Sequence, residues 1–168
     1  MIAMLEDLYR DLILEHYRHP QGEGTVAKPD RAAEGQNPLC GDECSVALAL
    51  EGERLAEIQF RGRGCSISVA SGSMMAGEIR GRTLPEVRVL ERAVKAMLQG
   101  KGQDPSVDLG DIAALEGVSR FPVRVKCALL PWSTLLQALD GPAGGAAATV
   151  TTDPGTPAAG PRGRKGGA

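Results

Sequence analysis

Three cysteines and one aspartate carry the residue types that could do chemistry in this chain. Cys40 and Asp42 stand in Asn37-Pro38-Leu39-Cys40-Gly41-Asp42. Cys65 stands in Gly62-Arg63-Gly64-Cys65-Ser66, and Cys127 in Arg124-Val125-Lys126-Cys127-Ala128. Asp42 follows Cys40 by two residues, so in an extended segment both side chains leave one face. Gly41 between them removes a side chain where something must approach closely. Cys65 precedes a helical pattern, where unpaired N–H groups and the helix dipole favour a thiolate. Cys127 reads as another strand-to-helix junction. Three thiolates and a carboxylate are suitable donors for tetrahedral zinc. The spacing is a weak signal, since no Cys-x-x-Cys pair occurs. Buried, reduced thiols remain an equal reading of the same residues.

Cys44 shares strand parity with Asp42, Val46 and Leu48, and reads as a small core residue, with a Cys-x-x-x-Cys ligand pair as the lesser alternative. His16 and His19 close the first helical pattern and read as surface or capping residues.

The elements that would position these residues follow from periodicity. Residues 4–19 place Leu5, Leu8, Tyr9, Leu12 and Ile13 at helical spacing, and Pro20 ends the run. Residues 21–39 read as a loop. Residues 45–50 and 55–60 alternate as two strands of a hairpin turning at Glu51-Gly52-Glu53. Residues 66–80 read as a helix rich in small residues. Thr83 to Glu86 fits a capping box for a further helix. Residues 100–122 are looser, with a short helix at 111–115, and residues 132–139 form a last helix whose first turns hold Pro131. Residues 1–140 thus make one domain. Residues 141–168 are Gly, Ala, Pro and Thr with little to bury, and read as a disordered tail.

The chain has 168 residues, 42% hydrophobic and 24% charged, enough for one domain with a core. A net charge of −2 argues against a nucleic-acid surface. No apolar run approaches the roughly 20 residues of a membrane span. The first residues carry no signal-peptide core. The expected compartment is the reducing cytoplasm, where four cysteines point to metal or redox chemistry rather than disulfides.

Three ordered motifs carry a resemblance: N-P-x-C-G-D, then G-x-G-C-x-I-S-x-A-S-x-S-M-M, then R-x-K-C-A. Over about residues 4–139 the chain resembles the IscU-like (NifU N-terminal-like) iron–sulfur assembly family, most closely its SufU branch. The long interval from Cys65 to Cys127 fits that branch, as does Lys126, where the IscU branch typically carries histidine. The resemblance implies an α+β fold, a small antiparallel sheet with helices packed on one face. It implies zinc on Cys40, Asp42, Cys65 and Cys127. It implies that Cys40 accepts persulfide sulfur from a SufS-type cysteine desulfurase, with a SufB-containing scaffold complex downstream. Arg124 would contact the partner or the transferred sulfur, or serve as a plain surface arginine. The alternative is a scaffold on which a [2Fe–2S] cluster is built. The resemblance leaves open whether the chain is an enzyme or a carrier acting with one. Cys44, Pro131 and the tail depart from the family pattern.

Overall fold

A computed structural model of the protein describes residues 2–22, 24–38, 40–141 and 148–151. Helix α1 spans Ile2–Arg18. Three strands follow: β1 at Arg31–Asn37, β2 at Asp42–Glu51 and β3 at Arg54–Arg63. Then come α2 at Ser66–Ile79 and α3 at Leu84–Ala96, a π-helical turn at Met97–Lys101 and a 3-10 helix at Gly110–Arg120. Helix α4 runs over Pro122–Asp140, and β4 over Ala148–Thr151.

The sheet has the order β3-β2-β1-β4. The first three strands are antiparallel, and β4 lies parallel to β1. Cys44, Val46 and Leu48 of β2 and Ile58 and Phe60 of β3 turn one face into the core. Helices α2 and α4 pack against the sheet, giving the expected α+β arrangement.

Helix α2 lies between the sheet, α1 and α4. It buries ten of its fourteen residues, from several sides, so its sequence has no clean amphipathic stripe. Its small residues let neighbours come close. A Cβ at Gly72 would overlap the Phe60 ring. Full burial of a ring such as Phe60 stabilises by roughly 1.5–3 kcal/mol, and glycine here makes that contact possible. The Trp132 indole donates to Ser71 Oγ at 3.1 Å, and Ser71 Oγ donates to the Ala128 carbonyl at 2.6 Å.

Four expectations about the elements differ from the structure. The stretch read as a loop over 21–39 contains β1, whose Gly35 faces Thr134 and Leu130 with no room for a Cβ; glycine broke the alternation that marks a strand. Helix α4 begins at Pro122, ten residues before Trp132, so Pro131 lies mid-helix and Cys127 within the helix, not at a strand-to-helix junction. The segment 110–120 is helical throughout, as a 3-10 helix. The tail read as disordered over 141–168 contains β4, which has a β1 partner for its backbone. Residues 142–147 and 152–168 of that tail lie outside the described residues.

The capping box is present: Thr83 Oγ1 accepts from the Glu86 N–H, and the Glu86 carboxylate accepts from the Thr83 N–H at 2.8 Å.

Candidate metal centre

The end of β1, the start of β2, the start of α2 and the second turn of α4 converge on one spot. Asn37 pairs with Asp42 across β1 and β2. The turn between them closes on the Asn37 carbonyl, which accepts from the N–H groups of Cys40 at 3.2 Å and Gly41 at 2.8 Å. Gly41 has φ 71°, a conformation that suits glycine. Cys40 is thereby held on an exposed turn, while Asp42 is buried at the strand start.

Asp42 ties the sheet to α2. Its Oδ1 accepts from the Cys65 N–H at 2.8 Å, and the Cys65 thiol donates to its Oδ2 at 3.4 Å. A carboxylate at a helix N-terminus is favoured by the helix dipole. Gly64, at φ 131°, lies against Asp42 so closely that a Cβ there would overlap the carboxylate. That close approach explains the glycine before Cys65.

Cys127 comes from α4, fully buried. Its Sγ is 3.4 Å from Cys40 Sγ and 3.5 Å from the Val123 carbonyl. Pro131, four residues on, lacks the N–H that would bond the Cys127 carbonyl in a regular helix. Burial pushes the Cys127 thiol well above the ordinary thiol range; hydrogen bonding to Asp42 and Cys40 and the nearby Cys65 add to this. A cation would reverse that balance by displacing the proton.

The donor atoms of Cys40, Asp42 and Cys127 all lie within 4.8 Å of one another. Cys65 falls outside that mutual group but touches Asp42. Tetrahedral zinc with Zn–S bonds near 2.3 Å sets sulfurs about 3.8 Å apart. The Cys40–Cys127 separation of 3.4 Å is within a few tenths of that. The donors of Cys40, Asp42 and Cys127 suit a tetrahedral cation, and the Cys65 thiol stands beside Asp42.

Asn37 is a site residue that sequence reasoning quoted but gave no role. It is fully buried, and its side-chain amide donates to Cys40 Sγ at 3.6 Å. Its place in the N-P-x-C-G-D motif was the available signal. Cys44 is buried 3.2 Å from Thr134 Oγ1, and burial pushes its thiol up to about 11. It lies outside the mutual donor group. His16, expected at the surface, is instead buried between Ser73 Oγ at 2.7 Å and Asp111 Oδ2 at 2.9 Å.

Residues 8–128 match the NifU-like N terminal domain. The chain belongs to this family. It is 43% identical over 133 residues to the zinc-dependent sulfurtransferase SufU of Bacillus subtilis, covering 79% of this chain and 90% of that one. It is 33% identical to the iron–sulfur cluster assembly scaffold protein IscU of Streptococcus pyogenes, covering 82% and 86% of the two chains. Among solved structures it resembles a putative iron–sulfur cluster assembly scaffold protein for the SUF system from Fervidobacterium islandicum. That likeness has a TM-score of 0.73 at 35% identity, covering 77% of this chain and 95% of that one. As a NifU-like N-terminal domain of the SufU/IscU type, the chain serves iron–sulfur cluster assembly. Among its described residues no helix is long and apolar enough to cross a membrane.

Proposed function

We propose that this chain is a zinc-dependent sulfur-transfer protein, with Cys40, Asp42, Cys65 and Cys127 as zinc ligands and Cys40 as sulfur acceptor. The observation that carries the reading is a difference in exposure inside one donor cluster. Cys40 is exposed on a turn, whereas Asp42 and Cys127 are buried and Cys65 is half-buried at a helix start. Zinc would keep the thiols deprotonated at neutral pH.

Zinc would be held by Asp42, Cys65 and Cys127 when Cys40, on its exposed turn, is released to meet a pyridoxal-phosphate cysteine desulfurase of the SufS type. The freed Cys40 thiolate attacks the outer sulfur of the enzyme's persulfide. The enzyme's S–S bond breaks, and its cysteine leaves as thiolate. Asp42, Cys65 and Cys127 keep their places meanwhile. A SufB-containing scaffold complex in the cytoplasm is the destination of the sulfur.

The second reading, a scaffold for a [2Fe–2S] cluster, draws support from the likeness to the Streptococcus protein. Metal analysis separates the two: one equivalent of zinc and a colourless protein support the first, whereas a brown protein holding iron supports the second. Mass spectrometry after incubation with desulfurase and cysteine tests the acceptor. One added sulfur on Cys40 is expected. Sulfur on Cys65 or Cys127, with Cys40→Ala still active, would overturn the assignment.

A further inference from the structure

We infer that Cys127 is a resolving thiol for sulfur carried on Cys40, and that metal in the site suppresses this second reaction. The inference rests on the proposed role of Cys40. Its own basis is the 3.4 Å separation of the two sulfurs and their unlike settings, one exposed and one buried. A persulfide on Cys40 places its inner sulfur, Cys40 Sγ, beside an internal thiol.

The step balances without an oxidant. Cys127 Sγ attacks Cys40 Sγ, and a Cys40–Cys127 disulfide forms. The S–S bond to the outer sulfur breaks, and hydrosulfide leaves with the proton from the Cys127 thiol, as hydrogen sulfide. The outer sulfur is reduced from the persulfide level to sulfide, and the two cysteine sulfurs are oxidised to the disulfide. Two groups held in contact react far faster than the same groups free in solution.

Metal decides between the outcomes because Cys127 cannot be a ligand and an attacking group at once. With the site filled, Cys127 is engaged and the sulfur on Cys40 survives for the next acceptor. With the site empty, the sulfur is discharged and the acceptor is locked. Sulfur would thus be kept only by metal-loaded chains. Cys65 is less suited to the role: its sulfur lies against Asp42, and it stays outside the mutual donor group of Cys40 and Cys127.

The test uses the full chain carrying Cys44→Ala, because no Lys or Arg separates Cys40 from Cys44 and trypsin leaves both on one peptide. Zinc-loaded protein is treated with sodium tetrasulfide, desalted and then pulsed with a strong chelator. Before chelation the expected product is one extra sulfur on Cys40. After it, about one equivalent of sulfide per chain should appear, with a Cys40–Cys127 cross-link found by peptide mapping. A chain also carrying Cys127→Ser lacks a ligand and starts without zinc, yet should keep its extra sulfur both before and after the pulse. The same chelation in denaturant should slow discharge at least tenfold, because contact is lost. Extra sulfur that persists on Cys40 after chelation of the folded chain, or a cross-link to Cys65, would overturn the inference. Failure to accept sulfur from a desulfurase would instead sink the transfer role, since tetrasulfide loads the thiol without that enzyme.

Discussion

Cys40 and Cys127 sit 3.4 Å apart and belong to different kinds of structure. The Cys40 turn hangs from one carbonyl, that of Asn37, and keeps its thiol in solvent. Cys127 is one turn into a nineteen-residue helix that packs on β1, β2 and α2, and it is fully buried. A ligand on a short turn can leave and return at little cost to the rest of the fold. A ligand within a packed helix can move only by moving the helix. The centre thus pairs an exchangeable donor with anchored ones.

The sharpest way to break that comparison is to remove each thiol in turn. Cys127→Ala should lose zinc and a large part of the stability that zinc confers. That stability is about 4 kcal/mol with free zinc about 1,000-fold above its dissociation constant, or a fall in Tm of about 10 °C. Cys40→Ala should keep the fold, bind zinc more weakly and accept no sulfur. Calorimetry with metal analysis reads both variants. Equal losses of zinc and Tm in the two would show that the turn is as much an anchor as the helix.

The two glycines beside the site sharpen the contrast between its halves. Gly64 lies against Asp42, whereas a Cβ at Gly41 would meet nothing within 4 Å. Both have positive φ, 131° and 71°, so alanine costs about 1–2 kcal/mol of backbone strain at Gly41. At Gly64 it must also displace the Asp42 carboxylate. Zinc affinity, read by competition with a chelating dye, should fall at least tenfold for Gly64→Ala and stay near wild type for Gly41→Ala. The opposite order would mean that the turn, not the Asp42–Cys65 junction, fixes the metal.

What the sequence made legible divides along the same line. The three motif cysteines and Asp42 were visible as residue types; the structure gathers Cys40, Asp42 and Cys127 into one donor group and sets Cys65 against Asp42. The hairpin, the small-residue helix and the Thr83 capping box were visible because their signals are local. Strand β1 was hidden because Gly35 yields its side-chain space to α4. The first half of α4 was hidden because Phe121-Pro122-Val123 reads as extended chain, with Phe121 and Val123 exposed. The burial of His16 depends on Ser73 and Asp111, 57 and 95 residues away, and no local pattern carries that. Long-range packing, not local propensity, set each of the missed features.

A control far from the metal is Thr83→Ala, which should cost about 1 kcal/mol by unmaking the helix cap. Zinc content and sulfur acceptance should not change. The Thr83 N–H holds the Glu86 carboxyl below the usual carboxylate range. Its contribution is therefore complete above the ordinary carboxylate pKa, and is lost as pH falls through the lowered one. Thr83→Ala keeps that N–H, so Glu86→Ala is the variant that removes the contribution, and acid titration of Tm should show a smaller difference between Glu86→Ala and wild type at low pH than at pH 7.

The smallest effect is expected at Cys44, which tests whether nearness in sequence to the site means membership in it. Cys44 stands two residues from Asp42 and shares its parity, yet its sulfur turns to Thr134 Oγ1 of α4. Thr134 also donates to the Leu130 carbonyl at 2.8 Å, so it is not orphaned when the thiol goes. Cys44→Ala should therefore cost about 1 kcal/mol or less, with zinc and sulfur acceptance intact. Burial and their raised thiols should leave Cys44 and Cys127 slow to react with iodoacetamide in the native, zinc-free chain, and exposed Cys40 the first to react. Cys44→Leu is the sharper variant. Its flanking partners in the sheet are Gly35 and Gly62, both packed against neighbours on the core side, so added methylenes must push on Thr134. Overpacking costs about 1–3 kcal/mol, and here it bears on the helix that carries Cys127. Weaker zinc binding in Cys44→Leu, with normal zinc in Cys44→Ala, would show Cys44 acting only through the position of α4. Lost sulfur transfer in Cys44→Ala, with zinc retained, would instead make Cys44 a relay thiol and extend the chemistry one strand position into the core.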